Sequence, residues 1–485
     1  MFLVDKNLSK GKSETNILTG CFVCIIIVDV KKILTGYLYC LHLWGLPRWK
    51  GVSVVSKIYS VAANGVACDM VNIEVDISEG LPSCEMVGLL SFEVREARER
   101  VKSALRNSGI FFPPARITIS LSPADIRKEG SGFDLAIAMG ILVNLKVVDE
   151  KKVEDKIFVG ELGLDGEIRR VNGVLNMVIK AKEKGFKTCV IPKDNICEAS
   201  VIDGINILSF ADVRSLIIAF EREEYEYEQH VDISSIIERD NAYDDEYDLI
   251  NINGQKSAKR AIEIACCGMH NIMLIGNPGC GKSLMAKCIP SIMPKLGVEE
   301  AIEITGIHSA GGNLKGDTIV SKRPFISPHH TTTLTALIGG GKKPMPGDIS
   351  LAHGGILYLD EFPEFPRKHL ESLRSPMEDG KIVISRIYGN YTYPSRFMLV
   401  ASMNPCPCGY FPDRNRCSCS ESQIKRYLGR LSGPMLDRMD MCVTVEDVKL
   451  GDIDIANDSA KEYDNNKIVR SRVEKVRKIQ EKRSE

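Results

Sequence analysis

Residues 276–283 follow the pattern Gly-x-x-x-x-Gly-Lys-Ser, which is typical of a loop that binds phosphate. The glycines let backbone N–H groups turn toward phosphate oxygens, while Lys282 would reach the β- and γ-phosphates and Ser283 would hold Mg²⁺. An apolar run at residues 272–275 precedes the loop, and a helical pattern follows it. We therefore predict a nucleotide site formed by Gly276, Asn277, Pro278, Gly279, Cys280, Gly281, Lys282 and Ser283.

Two more apolar runs end in polar residues. Residues 356–359 are followed by Asp360 and Glu361, and residues 397–403 are followed by Asn404. The carboxyl ends of parallel strands share one edge of a sheet, where ligands bind, so these side chains should lie beside the loop. Asp360 would join the Mg²⁺ shell, Glu361 would polarise the attacking water and Asn404 would orient it. For Asn404 alone, a turn-starting role before proline is the alternative.

Four cysteines follow Asn404 as two pairs with eight residues between them: Cys406, Cys408, Cys417 and Cys419. Four thiolates at this range suit a tetrahedral Zn²⁺ that staples the loop, although the usual gap within a pair is two residues. A redox centre is the weaker interpretation, because no adjacent base or redox motif is visible. Most of the remaining cysteines are scattered singly in apolar runs, which favours a reducing cytosol.

Residues 381–396 contain two β-prone runs around Gly389-Asn390, which predicts a hairpin with its turn there. Interleaved cations and aromatic rings are what a grip on single-stranded nucleic acid requires, and an ordinary exposed hairpin is the alternative. A second basic loop occupies residues 340–347, whereas the neighbouring His329 and His330 have no acids close in sequence and are expected to be structural. The candidate nucleic-acid contacts are Lys381, Arg386, Tyr388, Tyr391, Lys342 and Lys343.

The surrounding sequence divides into regions. Residues 56–220 alternate strand-like and helical stretches, which predicts an α/β domain, and residues 249–448 predict a second one. Between them, residues 221–248 carry twelve acids and two arginines without periodicity, so we expect an acidic linker. The whole chain is balanced, with 63 Lys and Arg against 64 Asp and Glu, and its charge indicates neither nucleic acid nor membrane as a partner.

The first 55 residues do not match this alternation and are expected to lie outside the fold. Their apolar run at residues 17–30 is shorter than the roughly 20 residues that span a membrane, so a membrane anchor is the less favoured alternative.

Several long motifs resemble the magnesium-chelatase-related AAA+ ATPases of the YifB/ComM competence type. They are SPHHTTTLTALIGGG, PMPGDISLAHGGILYLDEFPEF, NPCPCG and RYLGRLSGPMLDRMD, with SLSPADIRKEGSGFDLAIAMGIL and FVGELGLDGEIRRVNGVL in the first region. The resemblance covers residues 56–480 and implies ATP and Mg²⁺ as cofactors in the roles given above. It also implies a homo-hexameric ring, with Arg438 as an arginine finger on a neighbouring subunit's ATP. The relatives are DNA motors that drive branch migration in DNA uptake and recombination, so single-stranded or branched DNA is the expected partner.

The first domain resembles the fold of the Lon-protease catalytic domain. Gly132 stands where that resemblance expects the nucleophilic serine, Met177 stands where it expects the lysine, and Ser131 is one position away. We therefore predict no protease activity. The motor subunit of a magnesium chelatase is the alternative function, although it is not expected to carry this fused domain. A nucleotide-gated scaffold that binds no DNA is a third.

The resemblance also implies a helical lid over the nucleotide, which supplies a further arginine. In residues 449–485 only the stretch 467–482 has the length and character of a helix. Most of the lid would then lie beyond Glu485, so the chain as given is expected to be a truncated product or fragment that binds ATP weakly and hydrolyses it poorly.

Overall fold

The computed structural model describes residues 55–241, 247–314, 319–387, 389–447 and 465–484. The predicted extension lies outside these residues except for Val55, and so do Tyr388 and residues 449–464 of the predicted lid. No helix among the described residues is both long enough and apolar enough to cross a membrane.

The first region is built around a seven-stranded sheet that mixes parallel and antiparallel pairs. Its elements are β1 (Ser56–Asn64), β2 (Ala67–Ser78), β3 (Ser83–Val87), α1 (Phe92–Asn107), β4 (Arg116–Ser122), α2 (Asp134–Asn144), β5 (Lys156–Phe158), β6 (Glu161–Leu162), β7 (Ile168–Arg169), α3 (Val174–Glu183), β8 (Thr188–Pro192), α4 (Ile196–Ala199), β9 (Asn206–Phe210) and α5 (Val213–Arg222), with short 3-10 turns at Glu150–Lys152 and Lys193–Asn195. The sheet order is β3-β4-β2-β1-β5-β8-β9, while β6 and β7 pair separately.

Side-chain periodicity explains how this sheet packs. Val71, Ile73, Val75 and Ile77 alternate along β2 and are all buried, so one face of the strand turns to the core. Helix α2 is apolar on every side and lies against β1 and β2, as expected of a helix inside a core.

The segment predicted to be an acidic linker contains a helix, α6 (Ile233–Asp240). Ile233, Ile236 and Ile237 lie on one side of α6 and are buried in a core cluster of the first region. Spacings of three and four residues are those of a helix face, and the surrounding acids hid this periodicity in the sequence.

The second region contains a five-stranded sheet in which every pair is parallel, with the order β11-β14-β17-β10-β18. Its elements are α7 (Lys256–Gly268), β10 (Ile272–Gly276), α8 (Lys282–Ile292), α9 (Val298–Ala310), β11 (Phe325–Ile326), α10 (Leu334–Ile338), β12 (Gly339–Gly340), β13 (Met345–Pro346), α11 (Asp348–Leu351), β14 (Ile356–Leu359), α12 (Arg367–Ser372), α13 (Arg374–Asp379), β15 (Lys381–Arg386), β16 (Gly389–Pro394), β17 (Met398–Met403), α14 (Glu421–Leu428), α15 (Gly433–Leu436), β18 (Met441–Val445) and α16 (Asn466–Ser484), with 3-10 turns at Leu249–Asn251 and Phe362–Glu364.

The order of this sheet fixes where a ligand can bind. Strand β10 lies between β17 and β18. After β10 the chain forms β11, β14 and β17 on one side of it and then adds β18 on the other side. Crevices at such a switch point, outside the carboxyl ends of the strands, are where open α/β sheets bind ligands. The three predicted strands at 272–275, 356–359 and 397–403 are confirmed as β10, β14 and β17.

The two regions share a core. Helix α9 of the second region packs on α3 of the first, where Asn176 Nδ2 donates to Gly306 O at 2.8 Å. A Cβ on Gly306 would lie 2.4 Å from Asn176 Oδ1, so any larger residue there would displace the Asn176 side chain and disturb its hydrogen bond. The predicted helix at 467–482 is confirmed as α16, which packs on α7 and α8 through the buried Val469 and Val473.

Candidate nucleotide site and cysteine centre

The glycine-rich loop connects the end of β10 to the start of α8, as the sequence predicts. A Cβ on Gly276 would lie 2.5 Å from Val445 O, so the residue must be glycine for β18 to pair closely with β10. Gly279 and Gly281 adopt φ values of 80° and 93°, which only glycine tolerates readily. The N-terminus of α8 therefore faces the loop, in the arrangement that attracts phosphate.

The Lys282 ammonium lies inside the curl of the loop. It donates to Gly276 O at 2.7 Å, to Asn277 O at 2.8 Å and to Asn404 Oδ1 at 3.1 Å. The structure thus brings together the loop lysine and the amide at the end of β17, and the ammonium is placed to exchange these oxygens for those of a phosphate.

Asp360 lies at the end of β14, where its carboxylate accepts a hydrogen bond from Ser283 Oγ at 3.1 Å. Ser402 Oγ also donates to this carboxylate, and Tyr358 OH donates in turn to Ser402 Oγ at 3.2 Å. Burial acts to raise the pKa of Asp360, but the hydrogen bonds from Ser402, Ser283 and Tyr358 outweigh it and lower that pKa. Asp360 is therefore held as the anion that a Mg²⁺ ion requires.

Sequence reasoning missed the contribution of Ser402 and Tyr358. Each is a polar side chain inside an otherwise apolar strand, and each is buried. Such residues need a hydrogen-bond partner, which was the signal available in the sequence.

Glu361 has a left-handed backbone, with φ of 52°, which is uncommon for a residue other than glycine and is found often at functional sites. His330 Nδ1 lies 3.8 Å from Glu361 Oε2, and the rings of His329 and His330 are 4.1 Å apart. The sequence shows no acid beside these histidines, but the fold supplies one, because residues far apart in sequence meet where the neighbouring strands β11 and β14 end. That the two histidines are structural stays a prediction.

Arg438 lies at the opposite end of the strands of this sheet, where β10 and β18 begin. It precedes β18, and its carbonyl accepts a hydrogen bond from Asn271 Nδ2, just before β10, at 3.0 Å. At about 3.3 Å per residue, the five residues of β10 separate it from the loop of its own chain by about 16 Å. Its guanidinium forms an ion pair with Glu378 and donates to Pro434 O at 2.5 Å.

The predicted hairpin forms, but its turn is not at Gly389-Asn390. Arg386 pairs with Gly389, so residues 387–388 connect the strands. In this register Ile382 faces Tyr393 and Ile384 faces Tyr391, and all four are buried. A turn two residues later would have placed Arg386 opposite Tyr393 on the buried face, and the apolar pattern therefore sets the register.

This register corrects the prediction for Tyr391. Its ring is only 8% exposed and packs inward, so it does not offer its face to a base in this structure. Tyr388 lies outside the described residues. Lys381 and Arg386 are exposed on the hairpin, as are Lys342 and Lys343 on the loop between β12 and β13.

The two basic elements are neighbours. Tyr393 OH donates to Pro344 O at 2.9 Å, and a Cβ on Gly340 would lie 2.9 Å from Arg386 Nη2. The structure therefore places Arg386 beside the loop of Lys342 and Lys343, and we call these three residues the basic surface. Lys381 lies at the other end of β15, on the opposite face of the strand.

The four cysteines after Asn404 converge. Their sulfurs lie within 4.8 Å of one another, with Cys406 Sγ 3.4 Å from Cys408 Sγ and 3.8 Å from Cys417 Sγ. Four sulfurs placed tetrahedrally at about 2.3 Å from Zn²⁺ would be about 3.8 Å apart. Hydrogen bonds from the backbone N–H of Tyr410 and from the three neighbouring thiols lower the pKa of Cys408 to about 6. The pKa values of Cys417 and Cys419 are raised, that of Cys419 to about 11, so without a metal the group favours one thiolate held by its neighbours. We call this group, Cys406, Cys408, Cys417 and Cys419, the cysteine centre.

In the first region, Gly132 and Met177 line one cavity together with Ser131. Ser131 Oγ donates to the Glu161 carboxylate. That the domain has no protease activity stays a prediction.

Comparisons with known proteins identify the relatives of the chain. A family model described as magnesium chelatase, subunit ChlI, matches residues 248–453, and another described as subunit ChlI of Mg-chelatase matches residues 73–195. The competence protein ComM of Haemophilus influenzae is 40% identical over 431 residues, which are 88% of this chain and 83% of that protein. The YifB protein of Escherichia coli is 42% identical over 391 residues, 81% of this chain and 76% of that protein.

A more distant relative is the magnesium-chelatase 38 kDa subunit of Rhodobacter capsulatus, which is 25% identical over 174 residues, 32% of this chain and 49% of that protein. The phosphate loop follows β10 and the acidic pair follows β14, with β17 between the two strands of one parallel sheet. This arrangement together with the family match is that of an AAA+-type ATPase. The chain belongs to the YifB/ComM family of magnesium-chelatase-related proteins, and this family implies ATP and Mg²⁺ as cofactors.

Proposed function

We propose that the protein hydrolyses ATP within a ring of identical subunits and uses this reaction to move DNA strands, as in branch migration. The observation that carries the proposal is the meeting of Lys282, Ser283, Asp360, Glu361 and Asn404 at one edge of the sheet, with Arg438 at the other. The name of the ComM relative, a competence protein, supports a role with DNA.

The residues at the first edge would divide the work of hydrolysis. The loop N–H groups and Lys282 bind the phosphates, while Ser283 and Asp360 hold the hydrated Mg²⁺ in place. When bound, Mg²⁺ neutralises charge that develops on the β- and γ-phosphate oxygens. Glu361 accepts a proton from the attacking water, and Asn404 orients that water toward the γ-phosphate.

Arg438 supports the ring. It cannot reach the nucleotide of its own chain, because about 16 Å of sheet separates the two edges. An arginine at that edge is placed to contact ATP on a neighbouring subunit, and a head-to-tail interface of this kind closes into a ring. We therefore propose Arg438 as the arginine finger of a closed ring, and six as the number of subunits that the family resemblance implies.

The basic surface supports DNA as the partner. Its three cations are exposed at adjoining positions, and cations spaced along one surface bind a phosphate backbone without regard to sequence. Lys381, exposed on the same hairpin, is a further candidate contact. Tyr391 takes no part, because its ring is buried. The motor subunit of a magnesium chelatase is the second candidate, and the likeness to the Rhodobacter subunit favours it.

The test is the ATPase rate with and without single-stranded DNA. We expect DNA to stimulate the rate in the wild-type protein, and the double variant Lys381→Ala, Arg386→Ala to bind DNA more weakly. The slope of log affinity against log salt should fall by about 1.4, since each phosphate contact to a single strand contributes about 0.7.

The matched control is Lys102→Ala with Lys184→Ala, which removes two exposed lysines of the first region and should leave the slope unchanged. A wild-type rate that ignores DNA would favour the chelatase or the scaffold. An unchanged slope in the hairpin variant would remove the hairpin from the DNA contact.

We also propose that the cysteine centre holds a structural Zn²⁺. The first support is the near-tetrahedral spacing of four free thiols. The second is the small size of the apolar cluster in this loop, in which the buried residues are Cys406, Cys417, Cys419 and Ile424. We expect the purified protein to carry about one Zn²⁺ per chain, and Cys406→Ser to lose it. Metal analysis checks this, with the exposed Cys197→Ser as control. A metal-free protein of unchanged thermal stability would contradict the assignment.

A further inference from the structure

The cysteine centre lies against the phosphate-binding loop rather than apart from it. A Cβ on Gly409, the residue after Cys408, would lie 2.4 Å from Pro278 Cδ, so the two loops touch at a position where only glycine fits. Pro278 belongs to the phosphate-binding loop. The cysteine loop therefore forms part of the wall that shapes the nucleotide site.

A chain of polar contacts makes a second link. Arg416, the residue before Cys417, donates to Asp447 Oδ2 at 2.8 Å. Both oxygens of Asp447 accept from Asn277 Nδ2, each at 2.9 Å, and Asn277 belongs to the phosphate-binding loop. Arg416 also lies over the ring of Tyr410, 4.2 Å from its centroid. The cysteine loop thus sets the position of the guanidinium, and the guanidinium, through Asp447, sets the position of Asn277 in the phosphate-binding loop.

A third link comes from Asn404, two residues before Cys406, whose side chain accepts from Lys282 Nζ at 3.1 Å. Each of the three links begins within two residues of a cysteine of the centre. A metal that holds the four sulfurs together therefore also fixes Asn404, Gly409 and Arg416. Without it, the loop keeps a small apolar cluster with the partly buried Tyr410 and Phe411, and short-range backbone hydrogen bonds, which hold these residues less firmly than a metal with four ligands.

We infer that Arg416 and Asp447 are positioning residues that link metal binding at the cysteine centre to nucleotide binding at the phosphate loop. Loading the centre places Asn277 and Pro278 for the phosphates, and loss of metal releases them. Such a link is reciprocal, so bound nucleotide must also tighten the hold on the metal. The inference rests on the proposed nucleotide and metal sites and assigns to them a regulation that neither site alone implies.

The experiment measures the affinity of a fluorescent ATP analogue for four proteins, each loaded with Zn²⁺ and each stripped by a chelator. They are the wild type, Arg416→Ala, Arg416→Lys and Arg414→Ala. Arg414 is the matched control: it is in the same loop and lies over Phe411, but its hydrogen bond goes to Cys419 O and not to the phosphate loop.

We expect stripping to weaken nucleotide binding by the wild type at least about tenfold, within the usual range of linked sites. Loaded Arg416→Ala should retain zinc, bind nucleotide more weakly than the loaded wild type and lose less affinity when stripped, because only the links through Gly409 and Asn404 remain. Arg416→Lys should recover part of the effect, and Arg414→Ala should behave as the wild type does. A structural role alone would not reduce the dependence on metal in Arg416→Ala and leave it unchanged in Arg414→Ala.

The failures are distinguishable. If the loaded wild type bound no nucleotide, the proposed function would fail, and if it held no zinc, the metal site would fail. Equal affinity of loaded and stripped wild type, both folded by circular dichroism, would overturn the link. If the stripped protein unfolds, the loaded variants decide: equal affinities of Arg416→Ala and Arg414→Ala would overturn it as well.

Discussion

Replacing Lys282 with alanine is expected to abolish nucleotide binding, whereas Glu361→Gln should bind ATP normally and fail to turn it over. The Lys282 ammonium lies where it can form charge-assisted hydrogen bonds to two phosphates, and each is worth about 1.5–3 kcal/mol. Losing both should weaken ATP binding more than about 100-fold. Titration with a fluorescent ATP analogue measures this.

The glutamate variant tests a different step. Glu361 is exposed, its side chain 58% accessible, and it makes no contact with the phosphate-binding loop among the hydrogen bonds of the described residues. Its removal should leave the affinity within a few-fold of wild type and lower the turnover rate about 10²–10⁴-fold, as expected for a lost general base. Equal loss of binding in both variants would contradict the assigned roles.

The residues of the candidate nucleotide site could be predicted from the sequence, because each of them comes directly after a strand, or lies in a loop, that has a strong local signal. Residues 356–359 are apolar and end in an acid, and they form β14 with Asp360 at its end. A parallel sheet then brings such ends together without any further information. The link between Lys282 and Asn404 follows from that rule alone.

The sequence did not predict contacts between side chains of distant segments. His330 and Glu361 meet because β11 and β14 are neighbours, and the position of β11 in the sheet has no local signal. The hairpin register was missed for a related reason: Gly389-Asn390 is a strong turn signal, but burial of two isoleucines opposite two tyrosines outweighs it. Tertiary packing decides such cases.

The cysteine centre could be predicted from the sequence only in part. Its four ligands were visible in the sequence, although their one-residue gaps left the metal uncertain, and the structure supplies the convergence. Its contact with the phosphate-binding loop could not be predicted, because Asp447 joins Arg416 to Asn277 across three segments.

Arg438→Ala is expected to lower ATP turnover about 10³–10⁵-fold while leaving ATP binding intact, as for a lost arginine finger. The reason is its place at the far edge of the sheet, where it can stabilise charge only on the nucleotide of a neighbouring subunit. Rate measurements on the variant alone would not separate this role from misfolding, since Arg438 also pairs with Glu378. Mixing two inactive variants separates the two explanations.

Lys282→Ala subunits keep Arg438, and Arg438→Ala subunits keep the phosphate-binding loop. In an equal mixture, about a quarter of head-to-tail interfaces would combine an intact loop with an intact finger. We expect such mixtures to recover ATPase activity well above that of either variant alone. The doubly substituted chain, mixed with wild type, serves as the control for simple dilution. If the mixture stays inactive while mixed rings form, Arg438 does not act between subunits, and the argument from the two edges of the sheet is wrong.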